Sequence, residues 1–290
     1  MDNKYQLISF NKEFIAAKDF NLGLDNRAFR YGDGFFETMH ANGLEVQFIE
    51  DHFVRIVKAA EILKLELPDY LTVSFLKKQI GGLLSRCKLF QAARVKLTIY
   101  RTGEGFYITD SNSCDIVIEA SFLGKGHYEL NTNGITIGIY DESPKPKSLF
   151  NSIKSINAQP YILAGIFAKQ HNFDDVLLLN EDGFIVEATS SNIFAVKNRV
   201  VYTPSLNSGC VNGIMRKQIL HISKILGYEV DENATIKPND LLEMDELFLT
   251  NAIVGIKYIS GYKNKRYFKR VAQKLILELN KVAFPNSYQD

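Results

Sequence analysis

The second half of the chain carries a series of short β-branched and aromatic runs separated by turn signals, and this pattern constrains the fold most. Ile135 to Tyr140, Val176 to Leu179, Phe184 to Glu187, Ile193 to Val196, Val200 to Tyr202 and Leu247 to Thr250 all read as strands. Asn180-Glu181-Asp182-Gly183 is a hairpin turn signal, and Lys197-Asn198-Arg199 is a second. Helical spacing interrupts the series from about Ala158 to His171, with Pro160 tolerated in the first turn, and from Gly213 to Leu226, stopped by Gly227. The expectation is a mixed sheet, curled towards a barrel, with helices against it.

The first half alternates differently. Asp51 to Leu63 places Phe53, Ile56, Val57, Ala60 and Leu63 on one helical face, and Ala93 to Arg101 places Val95, Leu97 and Ile99 on one strand face. We read it as a small α+β domain over residues 1–122, a connection near residues 121–130, and a larger domain over 130–290. Ser143-Pro144-Lys145-Pro146-Lys147-Ser148 is expected to interrupt both helix and strand.

Charge and composition exclude several classes of partner. With 34 basic and 33 acidic residues the formal charge is +1, so no global field attracts nucleic acid or an anionic membrane. The three cysteines, Cys87, Cys114 and Cys210, fit neither a disulfide framework nor a zinc cluster, and the five histidines show no metal-ligand spacing. No metal is expected. The start of the chain shows no signal-peptide pattern and no segment approaches a membrane span, so the reading is a cytoplasmic protein.

One stretch suggests a site without further context. Gly209-Cys210-Val211-Asn212-Gly213-Ile214-Met215-Arg216 opens an amphipathic helix after a loop with two glycines, and free N–H groups at a helix start can bind a phosphate. A glycine before a helix can equally be a loop hinge. The surrounding segments give it context: Val186-Glu187-Ala188-Thr189-Ser190-Ser191-Asn192-Ile193-Phe194 precedes it, and Met244 to Ala252 follows. Asp25 to Glu37 and His52-Phe53-Val54-Arg55-Ile56 add two more segments in the first half.

This ordered set, from about residue 8 to residue 260, resembles the class IV aminotransferases and aminodeoxychorismate lyases, the fold-type IV enzymes of pyridoxal 5′-phosphate (PLP). The resemblance implies a small N-terminal α/β domain and a larger mixed-sheet or pseudo-barrel C-terminal domain. It also implies a homodimer with its sites at the cleft between domains, and a small amino substrate.

Residue by residue, Lys154 matches the lysine that bonds the cofactor aldehyde, because only a primary amine can do so. A solvated lysine beside Lys145 and Lys147 is the plain alternative. Glu187, 33 residues further on, matches the carboxylate paired with the pyridine nitrogen, and Arg55 the guanidinium on the phosphate. Ile214 and Met215 would give helix-start contacts, Asn251 and Ala252 a second phosphate-facing turn, and Val211 packing on the ring. Tyr31, Arg101 and Tyr107 are substrate candidates. Arg101 matches a lyase arginine that meets a carboxylate, though a strand-end arginine is also commonly just solvated. Thr38 is a candidate proton donor.

Met215, where many aminotransferases have threonine, and Thr250-Asn251-Ala252 resemble 4-amino-4-deoxychorismate lyase, which yields 4-aminobenzoate and pyruvate. Glu37 resembles the aminotransferases instead, so a branched-chain or related aminotransferase stays open. The carboxylate trap of the D-amino-acid enzymes is absent. A non-catalytic phosphate-binding scaffold is the alternative outside enzymes.

Overall fold

The computed structural model describes residues 7–124 and 126–285. The chain divides into two compact units. The first runs to His127 and takes in Ile153–Asn157, and the second holds Tyr128–Ser152 and the chain from Ala158 onward.

The first unit contains strands β1 (Leu7–Phe10), β2 (Glu13–Ala16), β3 (Gly34–Asn42), β4 (Glu45–Val46), β5 (Ala92–Arg101) and β6 (Cys114–Gly124), and helices α1 (Arg27–Tyr31), α2 (Ile49–Leu63) and α3 (Val73–Arg86). The strands form one antiparallel sheet in the order β2-β1-β6-β5-β3-β4. Period-two alternation puts Val95, Leu97 and Ile99 of β5 against Ile56, Ala59 and Ala60 of α2 and Leu76, Ile80 and Leu83 of α3 in one buried cluster.

The second unit contains β7 (Ile135–Lys145), β8 (Asp175–Asn180), β9 (Ile185–Ala188), β10 (Asn192–Lys197), β11 (Val200–Pro204), β12 (Glu229–Ala234), β13 (Glu246–Asn251), β14 (Gly255–Tyr262) and β15 (Lys265–Arg266). Its helices are α4 (Gln159–Gln170), α5 (Ile214–Ile225) and α6 (Arg270–Ala283). The sheet order is β12-β11-β10-β13-β14-β7-β8-β9, with β15 on β14 and both parallel and antiparallel neighbours. It curls until β9 returns beside β10. Ile193, Ala195, Leu247 and Leu249 fill the inside, while Phe194 and Phe248 stack at 5.2 Å on the opposite face.

This is the two-domain α+β architecture expected, with a mixed, barrel-like second half. The turn at Asn198-Arg199 joins β10 to β11 with both residues at positive φ, the geometry a two-residue hairpin demands. Two local outcomes differ from the sequence reading. Strand β7 continues through Pro144 to Lys145, because its register on β8 shifts between Tyr140 and Lys145 and the irregularity spares the proline a ladder bond. Ile153–Asn157, expected in the larger domain, joins the first unit.

Candidate active site

In the first unit, residues 153–157 lie along β3. Phe36 N–H donates to the Lys154 carbonyl at 2.8 Å, Ile156 N–H donates to Gly34 O at 3.2 Å, and Phe35 bridges Ser155. Ile153 is buried in the α2–α3 cluster and anchors the segment. Only glycine serves at position 34, where an added Cβ would stand 2.5 Å from the carbonyl oxygen of Ile99. The Lys154 ammonium lies 4.7 Å from the centre of the Phe36 ring. Thr38 shares that side of β3 with Phe36 by strand alternation, and Glu37 takes the other.

Glu37 is a buried hub. Its Oε1 accepts from Arg55 Nε at 2.7 Å, and its Oε2 accepts from Arg55 Nη2 at 2.6 Å and lies 2.7 Å from His52 Nδ1. His52 and Arg55 are one turn apart on α2, so both reach the same carboxylate. Burial pushes the Glu37 carboxyl up, but the Arg55 charge and the hydrogen bonds from His52 and Arg55 outweigh it and hold the pKa at about 2. Burial lowers the pKa of His52 against the opposing pull of Glu37, which favours a neutral ring donating from Nδ1. The bidentate grip fixes one edge of the Arg55 guanidinium.

Tyr31 and Tyr107 come together, their ring centres 5.5 Å apart, although Tyr107 stands largely in solvent. Arg27 joins them. Its guanidinium lies 5.2 Å from the Tyr31 ring centre, its Nη1 donates to Gly105 O and Phe106 O, and its Nε donates to Asp33 at 2.9 Å. Arg101 is buried and donates from Nε to the same Asp33 oxygen, Oδ2, at 3.0 Å, and from its Nη atoms to the carbonyls of Leu63 and Lys64 and to Asn112 Oδ1. Its cation therefore sits at the C-terminus of α2, where the helix dipole favours it.

In the second unit, Glu187 is buried on β9. Its Oε1 accepts from Lys145 Nζ at 2.5 Å and Tyr161 OH at 2.8 Å, and its Oε2 accepts from Val211 N–H at 3.0 Å. Lys145 Nζ also donates to the Tyr161 hydroxyl at 2.7 Å. Burial, then the Glu187 charge, raises the Tyr161 pKa far above its ordinary value, so the phenol keeps its proton.

The Val211 contact ties the loop before α5 to the Glu187 carboxylate. Asn192 Nδ2 donates to Val211 O at 2.9 Å, and a Cβ at Gly213 would fall 2.0 Å from Asn192 Oδ1, so the loop is packed to backbone contact. Helix α5 then begins at Ile214 and Met215 with no side-chain cap. The turn after β13 is ordered by Asn251, whose Oδ1 accepts from Ile253 and Val254 N–H and whose Nδ2 donates to Ser191 Oγ at 3.0 Å. Ala252 O accepts from Tyr128 OH at 3.1 Å. Asn192 pairs with Thr250 across the β10–β13 ladder, so these turns share one end of the sheet.

These groups suit a ligand with a protonated ring nitrogen at one end and a phosphate at the other. Glu187 offers a buried carboxylate with acceptor capacity left on Oε2. The uncapped start of α5 offers backbone donors and the positive end of a helix dipole. Buried Thr250 Oγ1, beside Asn251, has no hydrogen-bond partner among the described residues. Arg27, Asp33, His52, Lys145 and Tyr161 were not singled out by sequence reasoning. The first three lie in segments that resemble the family and Lys145 in the proline segment 143–148, but no local pattern gave Lys145 or Tyr161 a functional role.

A sequence profile of the family Amino-transferase class IV matches residues 34–262, well over half of the chain. The chain therefore belongs to the class IV aminotransferases, a PLP-dependent enzyme family whose members act as lyases or aminotransferases. The aminodeoxychorismate lyase of Vibrio harveyi is 28% identical over 243 residues, 83% of this chain and 87% of that one. A protein of Methanocaldococcus jannaschii with the provisional name of branched-chain-amino-acid aminotransferase is 30% identical over 281 residues, 92% of this chain and 93% of its own. The branched-chain aminotransferase structure from Thermoproteus uzoniensis matches the fold with a TM-score of 0.88 at 20% identity, covering 98% of this chain and 97% of that one. Family membership sets aside the scaffold alternative, and relatives of both activities stand at similar distances.

Proposed function

We propose that this enzyme binds PLP through Lys154 and cleaves 4-amino-4-deoxychorismate to 4-aminobenzoate and pyruvate. The observation that carries the cofactor reading is the Glu187–Val211 hydrogen bond, which ties a buried carboxylate to the loop opening α5. When bound, PLP supplies an electron sink for negative charge developing at the amine-bearing carbon of the substrate. Lys154 Nζ would anchor the aldehyde and would serve as the base that takes the proton from the amine-bearing carbon. Glu187 keeps a proton on the ring nitrogen. Ile214 and Met215 donate backbone N–H groups to the phosphate, with Asn251 and Ala252 at a second turn, and Val211 packs on the ring.

Arg55, held by Glu37, contributes a charge for the phosphate. Tyr31 and Tyr107 line the substrate side, Arg101 orders that side through Asp33 and supplies its positive field, and Thr38 donates a proton to the departing enol. The enzyme acts as a homodimer. Met215, without a hydroxyl at the helix start, favours the lyase.

The second reading is a branched-chain aminotransferase, favoured by Glu37 and by the M. jannaschii relative. Product analysis separates them. A lyase releases pyruvate from aminodeoxychorismate with no amino acceptor present, whereas conversion of the cofactor to its pyridoxamine form by leucine, with no pyruvate from aminodeoxychorismate, would sink the lyase assignment.

A further inference from the structure

Lys145 is the feature that neither the family motifs nor the proposed reaction uses. It is buried at the end of β7, and among the described residues its polar contacts go to the Glu187 cluster: Glu187 Oε1 at 2.5 Å and Tyr161 OH at 2.7 Å. A buried lysine is costly unless its charge is matched, and here one carboxylate matches it. That carboxylate is the group assigned above to the pyridine nitrogen.

An ionised carboxylate offers about four acceptor sites. Lys145 and Tyr161 occupy Oε1, and Val211 N–H takes one site on Oε2. One direction on Oε2 remains. The donors differ in kind, because Tyr161 and Val211 are neutral and only Lys145 brings a full charge. A ring N–H⁺ arriving at Oε2 therefore meets a carboxylate that already has a counter-ion, and it gains less than it would from an unmatched buried charge.

Resting on the PLP reading, we propose that Lys145 is a positioning residue that pre-orders Glu187 and partly neutralises it, so that the enzyme holds the proton on the cofactor ring nitrogen less tightly than Glu187 alone would. Two consequences follow. The carboxylate is fixed before the cofactor arrives, which removes an ordering cost from binding. The strength of the electron sink is set by a lysine 42 residues away in sequence, reached only through the strand that runs past Pro144.

The test compares the dissociation constants of PLP and of 1-deazapyridoxal 5′-phosphate, whose ring has C–H in place of nitrogen. Both aldehydes can bond Lys154, so their ratio isolates the ring nitrogen. In Lys145→Met the unmatched Glu187 should value that nitrogen more, and the preference for PLP over the deaza compound should rise about tenfold, the worth of one charge-assisted hydrogen bond. Lys145→Arg should restore the wild-type ratio. Lys145→Gln keeps a donor and removes only the charge, and serves if the methionine variant does not fold.

A rise of less than about threefold, or a fall, would overturn the proposal and leave Lys145 a structural ion pair, whose loss weakens both ligands alike. Borohydride fixation of PLP on wild-type Lys154, mapped by peptide mass, is measured first. Its failure would count against the PLP reading itself and not against Lys145.

Discussion

Glu37 links a strand to a helix through charge, and its environment makes that link sensitive to acid. Its pKa of about 2 lies below the ordinary 4.5, so the unfolded chain binds its proton more readily than the folded one. Its contribution to stability, on the order of 3 kcal/mol, is thus present above pH 4.5 and lost as the pH falls towards 2. His52 acts in the same direction from a higher start: its lowered pKa means that stability declines as the pH drops below 6.5. Thermal melts of the wild type should show a shallow loss below pH 6.5 and a steeper one below 4.5. Glu37→Gln should lower stability at neutral pH and flatten the steep limb. An unchanged limb in that variant would assign the acid sensitivity elsewhere.

Elements are positioned by groups far away in sequence, and α6 shows this most directly. No residue of its own caps it. Glu246 on β13 accepts from Val271 N–H at 2.9 Å with both oxygens and from Ala272 N–H at 3.2 Å, acting as a borrowed N-cap favoured by the helix dipole. Glu246→Ala should cost about 2 kcal/mol in denaturant unfolding, since it strands buried donors. Helix α5 depends instead on a missing side chain. Gly213→Ala would drive a methyl to 2.0 Å from Asn192 Oδ1 and displace the loop that carries Val211. The expected result is a loss of PLP affinity of about tenfold or more with a stability cost of about 1–3 kcal/mol. Titration of the cofactor band measures the first and a melt the second, and retained affinity would show that the loop does not form the phosphate site.

At the scale of the whole molecule, cofactor binding and folding are one equilibrium. Saturating PLP at about 100 times its dissociation constant should add about 2.7 kcal/mol to the unfolding free energy of the wild type, seen as a higher melting temperature. Lys154→Ala loses the covalent anchor and the base. It should show a much smaller rise and catalyse at least about 100-fold more slowly. An equal thermal shift in both proteins would mean that the aldehyde is not bonded at Lys154.

Much of this was legible in the residues themselves. The strands at 135–140, 176–179, 193–196 and 247–250 and the helices near 158–171 and 213–226 announce themselves through periodicity, because burial on one face imposes it locally. The α+β class follows from them, and the enzyme family from a resemblance carried by motifs in fixed order. Tertiary structure alone decided that β7 runs through Pro144 to Lys145, that residues 153–157 join β3, and that Glu187 shares its charge with Lys145 and Tyr161. Sequence leaves Arg101 open between a substrate ligand and a strand-end arginine, and folding alone directs its donors to Asp33 and the end of α2. The reason is range. Periodicity and turn chemistry act over a few residues, whereas a buried charge is matched by whichever group the folded chain brings within hydrogen-bond distance, at any separation in sequence.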